Sequence, residues 1–157
     1  REAGGERFAK RMGKLRCPVE SRRCEVIRDF GTVRDERFGT YFSNPGVDIL
    51  CSDGREVIAA ADGVVANVVW LQGYKNIVVV QHGGNYYTIY GNLEDVFVER
   101  GMPISEGDEI GRVAQRSWLE DRPTLHFEIR HGREKLDPKR WIRGVALASS
   151  VAKTDGQ

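Results

Sequence analysis

Chemistry in this chain would have to come from very few side chains. It has 3 His, at positions 82, 126 and 131, and 3 Cys, at 17, 24 and 51. Metal-assisted hydrolysis needs about three protein ligands and an open position for water, so the placement of the imidazoles decides whether that chemistry is available. Residues 125–130 alternate, with Leu125, Phe127 and Ile129 on one side and His126, Glu128 and Arg130 on the other. A period of two is a strand signature, and it turns His126 away from the core residues, onto a face that could line a groove. His131 lies beyond that strand in a His-Gly turn and is expected to be exposed. His82 precedes Gly83-Gly84-Asn85 and reads as a hydrogen-bonded histidine at a strand end. Cys51 follows Asp48 by three residues, which in a strand places it on the opposite face, in the core.

The elements that must position these side chains are strands. Val57–Ala61 and Val64–Trp70 are apolar and β-branched with Asp62-Gly63 between them, the pattern of a hairpin with a two-residue turn. Ile77–Gln81 and Tyr86–Tyr90 form a second pair around His82-Gly-Gly-Asn85, and the unbroken apolar run Ile77–Val80 predicts a strand covered on both faces. Gly101, Gly107 and Gly111 punctuate a region of short strands that includes Glu109–Val113. Many short strands with glycine turns argue for an all-β fold: an antiparallel sheet or sandwich with a groove on the polar face of its central sheet. Residues 1–14 read as a short helical tail or linker, with Phe8 and Met12 four apart and Gly13 as a stop. Residues 15–142 then form the domain, which Pro138 and Trp141 close, and 143–157 form a C-terminal tail.

Composition sets the outer limits. The 157 residues, 40% hydrophobic and with 18 Gly, suit one turn-rich globular domain. A net charge of +1 gives no case for nucleic acid. The charge is uneven: residues 1–37 hold 11 Lys+Arg against 7 Asp+Glu, and the other 120 hold 13 against 16. The basic start is either a solvated face or a contact for anionic wall polymer or a partner. No run of about 18 apolar residues is present, so no membrane span is expected in this fragment. Residues 1–16 are charged throughout, unlike an export signal, and the chain starts without Met; it reads as a piece of a longer protein. Cys17 and Cys24 either close a small loop in an oxidising compartment or stay reduced.

Three segments carry a family resemblance: Asn44-Pro-Gly-Val-Asp48, Tyr90-Gly-Asn-Leu93 and Pro123-Thr-Leu-His126-Phe-Glu-Ile129. They resemble the signature segments of the LytM-type (lysostaphin-like) metallopeptidases, which read approximately His-x-Gly-x-Asp, Tyr-Ala-His-Leu and His-Leu-His-Phe-Glu-Ile. Ala59-Ala-Ala-Asp-Gly-Val-Val65, Val80-Gln-His-Gly83 and Glu106-Gly-Asp-Glu-Ile-Gly111 are similar to further segments of that family, in the same order, over residues 15–142. The start, Gly13-Lys-Leu-Arg-Cys-Pro-Val19, and the end, Asp137-Pro-Lys-Arg-Trp141, look like the amidase-activator (EnvC-like) branch, which is known for degenerate metal sites. The resemblance implies the duplicated-hybrid-motif fold and a zinc site from which Asp48 and His126 remain. Asn44 stands at the lost ligand histidine, and Asn92 and Thr124 stand at the two catalytic histidines.

Asn offers a neutral amide oxygen, a poor donor for zinc, and cannot move a proton at neutral pH. No catalytic residues and no cofactor are therefore expected. The reading that follows is a non-catalytic domain regulating peptidoglycan hydrolysis, an activator or binding partner of a cell-wall amidase in the bacterial envelope, periplasmic or extracellular. Its groove would be lined by Tyr41, Asn44, Asp48, Tyr74, Tyr90, Asn92, Arg116, Thr124 and His126. Two alternatives stand beside it. One is a zinc metalloendopeptidase that cleaves peptidoglycan cross-links with an altered ligand set. The other is a module that binds peptidoglycan without cutting it. Histidine restored at 44, 92 and 124 together is expected to restore zinc binding if the groove keeps its geometry.

Overall fold

The computed structural model describes residues 2–148, with side chains from Gly4 onward. A helix, α1 (Glu2–Ala9), precedes β1 (Cys24–Arg28), β2 (Gly31–Asp35), β3 (Thr40–Asn44), β4 (Val47–Leu50) and β5 (Glu56–Ile58). The long strands follow: β6 (Gly63–Leu71), β7 (Lys75–Gly83) and β8 (Tyr86–Val96). Short β9 (Pro103–Ile104) and β10 (Glu109–Val113) lead to β11 (Thr124–His131), β12 (Glu134–Leu136), a 3-10 turn at Pro138–Arg140 and β13 (Val145–Leu147). One sheet runs β13-β1-β4-β11-β8-β7-β6-β9, with β12 beside β11 and with β10 joined to both β8 and β5. β2 and β3 form a separate two-stranded ribbon.

Cross-strand register decides which side chains share a face. Phe127 pairs with Tyr90, Tyr90 with Val78, and Val78 with Val68. That row faces the core, where Phe127, Tyr90 and Val78 are fully buried. The neighbouring row, Glu128–Ile89–Val79–Asn67, lies on the opposite face, with His126 opposite Gly91 beside it. The β7–β8 pair forms as the sequence predicts.

Three sequence expectations change. The Asp62-Gly63 turn does not join a hairpin, because β5 pairs with β10 while β6 pairs with β7 and β9. Long-range contacts consume the turn instead: Asp62 Oδ1 accepts the Glu106 N–H at 2.7 Å, and the Asp62 carbonyl accepts from His82 Nδ1 at 2.6 Å. Gly63 is needed because a Cβ there would collide with the Gln81 carbonyl, not because of a left-handed φ. The two segments read as tails are partly built into the fold. Phe8 of α1 is buried against the rings of His82, Tyr86 and Trp141 at 4.5, 5.0 and 5.2 Å. The helix stops at Ala9, short of Gly13. Val145–Leu147 pairs in parallel with β1; the rest of that tail from 149 lies outside the described residues. Cys17 and Cys24 are disulfide-bonded, and Cys51 is free and buried, as expected of a core thiol.

Candidate functional site

β4 and β11 lie side by side, and their register sets Asp48 opposite His126. His126 Nδ1 is 3.1 Å from Asp48 Oδ1, and its Nε2 is 2.7 Å from Glu128 Oε2. Glu128 in turn accepts from Arg130 Nε and Nη2 at 2.9 and 2.6 Å. Both imidazole nitrogens therefore face carboxylates, an arrangement that needs both to carry hydrogen. Burial works against the charged ring, but the hydrogen bonds it donates to Asp48 and Glu128 outweigh this and raise its pKa to about 9. For Glu128, burial pushes the pKa up, and His126 with Arg130 reverses this and holds it below the ordinary carboxylate range.

On the other side of Asp48, Asn44 Nδ2 donates to Oδ2 at 3.2 Å and to the Asp29 carbonyl at 3.0 Å. Arg28, from β1, completes the surround with Nη1 3.5 Å from Asp48 Oδ2. Asn92 takes a left-handed φ of 67° and donates Nδ2 to the Thr124 carbonyl at 2.8 Å. Its buried Oδ1 has no hydrogen-bond partner.

This floor lies at the bottom of a narrow groove. Phe42 of the β2–β3 ribbon and Trp118 of the 114–123 loop face each other with ring centroids 6.4 Å apart. Tyr74, from the β6–β7 turn, covers His126 at 4.6 Å. Burial and the nearby Asp48 carboxylate raise the pKa of its hydroxyl. Gly73, Ser117 and Leu119 complete the lining. Trp118 is 57% exposed, so the wall presents an aromatic surface to solvent.

Of the residues expected in the groove, the structure brings together Asn44, Asp48, Tyr74, Asn92 and His126. Thr124 is buried and supports Asn92 through its carbonyl. Tyr90 is a correction: it sits on the core face, in contact with Phe127 at 5.3 Å, and its hydroxyl accepts the Ala60 N–H. Tyr41 is also displaced, since its neighbour Phe42 is the ribbon residue that turns into the groove. Arg116 is exposed and outside the lining. Sequence reasoning missed Arg28, Glu128, Phe42 and Trp118. Only Glu128 carried a signal, being two residues from His126 on the same face of a strand.

Zinc, which the family resemblance brings with it, does not fit this floor. Asp48 and His126 are the two strong donors where zinc needs about three, Asn44 adds only an amide, and the Arg28 guanidinium stands 3.5 Å from Asp48 Oδ2. The other histidines lie elsewhere. His82 is buried, with Nε2 2.7 Å from Thr88 Oγ1, as expected of a structural strand-end residue. His131 is exposed and stacks on Tyr86 at 4.0 Å.

Residues 42–138 match Peptidase family M23, and the chain belongs to that family. The murein hydrolase activator EnvC of Escherichia coli K12 is 39% identical over 97 residues, which are 62% of this chain and 23% of the relative. The murein hydrolase activator NlpD of the same strain is 30% identical over 128 residues, or 81% of this chain and 31% of the relative. The chain thus spans less than a third of the length of either. A zinc-containing peptidase from Vibrio cholerae shares the fold, with a TM-score of 0.66 at 23% identity over 78% of this chain and 38% of that one. The LytM-type resemblance and the all-β architecture are both shown.

Proposed function

We propose that this domain regulates peptidoglycan hydrolysis without cutting peptidoglycan, by holding a segment of a cell-wall amidase in the groove above Asp48 and His126. The observation that carries the reading is the floor itself. Where a zinc enzyme of this fold would need open coordination, Arg28, Asp48, His126, Glu128 and Arg130 form a continuous chain of paired charges. The groove above it has the aromatic walls of a binding site, and Trp and Tyr are frequent anchors of interfaces. Val69, Val79 and Ile89 extend an apolar strip along the same face of the sheet, suited to the apolar side of a partner helix. The names of EnvC and NlpD support the reading, and they support a place in the bacterial envelope. The Cys17–Cys24 bond suits such an oxidising compartment. No helix among the described residues is long and apolar enough to cross a membrane.

The test is amidase action on dye-labelled sacculi with this chain added. The parent is expected to stimulate dye release, and Trp118→Ala and Tyr74→Ala each to weaken stimulation about tenfold or more. Tyr41→Ala and Arg116→Ala, outside the groove, are expected to act like the parent. Folded Trp118 and Tyr74 variants with undiminished stimulation would refute the groove assignment. Dye release by the chain alone, abolished by chelator, would establish the metalloendopeptidase instead. Sedimentation with sacculi and no stimulation would establish the wall-binding module.

A further inference from the structure

Arg28 and Asp48 face each other by strand register: β1 and β4 are antiparallel, and these two residues are direct partners in the ladder. The side chains are only 14% and 13% exposed. Arg28 Nη1 stands 3.5 Å from Asp48 Oδ2, and Nη2 donates to the Leu119 carbonyl at 3.1 Å. Asn44 Nδ2 and His126 Nδ1 also donate to the carboxylate, at 3.2 Å to Oδ2 and 3.1 Å to Oδ1. A carboxylate this deeply buried needs a counter-charge. In a metal site the cation supplies it; here Arg28 and His126 supply it together.

We infer that Arg28 is the built-in replacement for the metal's charge, and that zinc cannot bind while it is present, whatever side chains occupy 44, 92 and 124. Zinc would take His126 in its neutral form and would set two positive charges beside the Arg28 guanidinium at a carboxylate that offers one negative charge, so the two cations repel. Arg28 is also held in place by its second nitrogen, which donates to the carbonyl of Leu119, next to Trp118 in the groove wall. The same guanidinium therefore fastens the wall to the floor, making it a positioning residue for the groove as well. This changes the reconstruction expected from sequence: three restored histidines are not enough. The inference shares the floor with the proposed function but not its outcome, since it is decided by metal binding and the function by amidase stimulation.

The experiment is zinc titration by calorimetry of two variants, Asn44→His/Asn92→His/Thr124→His with Arg28 intact, and the same triple with Arg28→Ala. The first is expected to bind zinc weakly or not at all, and the second about a hundredfold more tightly. Equal affinity in both would overturn the inference. Should the fourfold variant fail to fold, the single Arg28→Ala variant decides. Its melting temperature is expected to fall and to be recovered by adding Asp48→Asn. An Arg28→Ala chain that melts like the parent would overturn the inference equally.

Discussion

Buried and bonded to the Asp62 carbonyl, His82 has its pKa lowered to about 4, chiefly by desolvation. An unfolded chain protonates this ring near pH 6.5. Between these values the unfolded state binds a proton that the fold refuses. The contribution of neutral His82 is thus complete above pH 6.5 and is lost as pH falls towards 4, about 3 kcal/mol over the window. Urea denaturation of the parent and of His82→Gln at pH 7 and 4.5 is expected to show the parent losing more stability than the variant. Equal losses would mean that His82 titrates freely. His126 is the opposite case, held charged by two carboxylates. Its face was legible from the alternation of 125–130, but its burial was not, because Tyr74 covers it from a turn far away in sequence. Tyr90 shows the same limit. Nothing in Tyr86–Tyr90 alone states that Tyr90 stands opposite Phe127 rather than His126; the register with β11 does.

At the scale of elements, α1 meets the β7–β8 turn backbone to backbone. A Cβ on Gly5 would lie 2.7 Å from Gly84 Cα, and one on Gly4 would lie 2.8 Å from the His82 carbonyl oxygen. Gly→Ala within a helix ordinarily gains about 1 kcal/mol. Here the obstacle is backbone that cannot turn aside, so Gly5→Ala is expected to destabilise by roughly 1–3 kcal/mol, the usual range for overpacking. Urea denaturation measures it, and a stabilised variant would show that α1 shifts without penalty. Nothing in the sequence singles out glycines 4 and 5, and only the docked geometry shows why they are there. The Asp62-Gly63 segment failed for a related reason. Its local chemistry fits a hairpin, but β10, some fifty residues away, pairs with β5 first in the final sheet. The long pairs β7–β8 and β8–β11, by contrast, follow strands that apolar runs and alternation mark clearly.

For the whole molecule, the fold was legible because several short segments occur in one order across most of the chain, and no single segment had to carry the assignment. The floor was legible in what it lacks, the histidines at 44, 92 and 124. What fills it was not, since Arg28 lies in a basic stretch where one more arginine attracts no notice. If protein charges alone hold this floor, a chain treated with chelator and desalted should melt within about 1 °C of the untreated chain and stimulate an amidase equally, as expected when no ligand is linked to folding. A drop of several degrees that zinc reverses would show a metal in the structure.

The contact between Arg28 and Asp48 also gives the domain a direction in evolution. On the inference above, a single mutation that places an imidazole in the floor meets a guanidinium and gains no metal. A mutation that removes the guanidinium first leaves Asp48 with His126 as its one cationic partner, and selection acts against the weakened fold. Each first step back is fruitless or harmful, so the path behaves as a ratchet. If Arg28 opposes zinc as inferred, a chain carrying it can refine what it binds, but gaining a metal takes two coordinated changes.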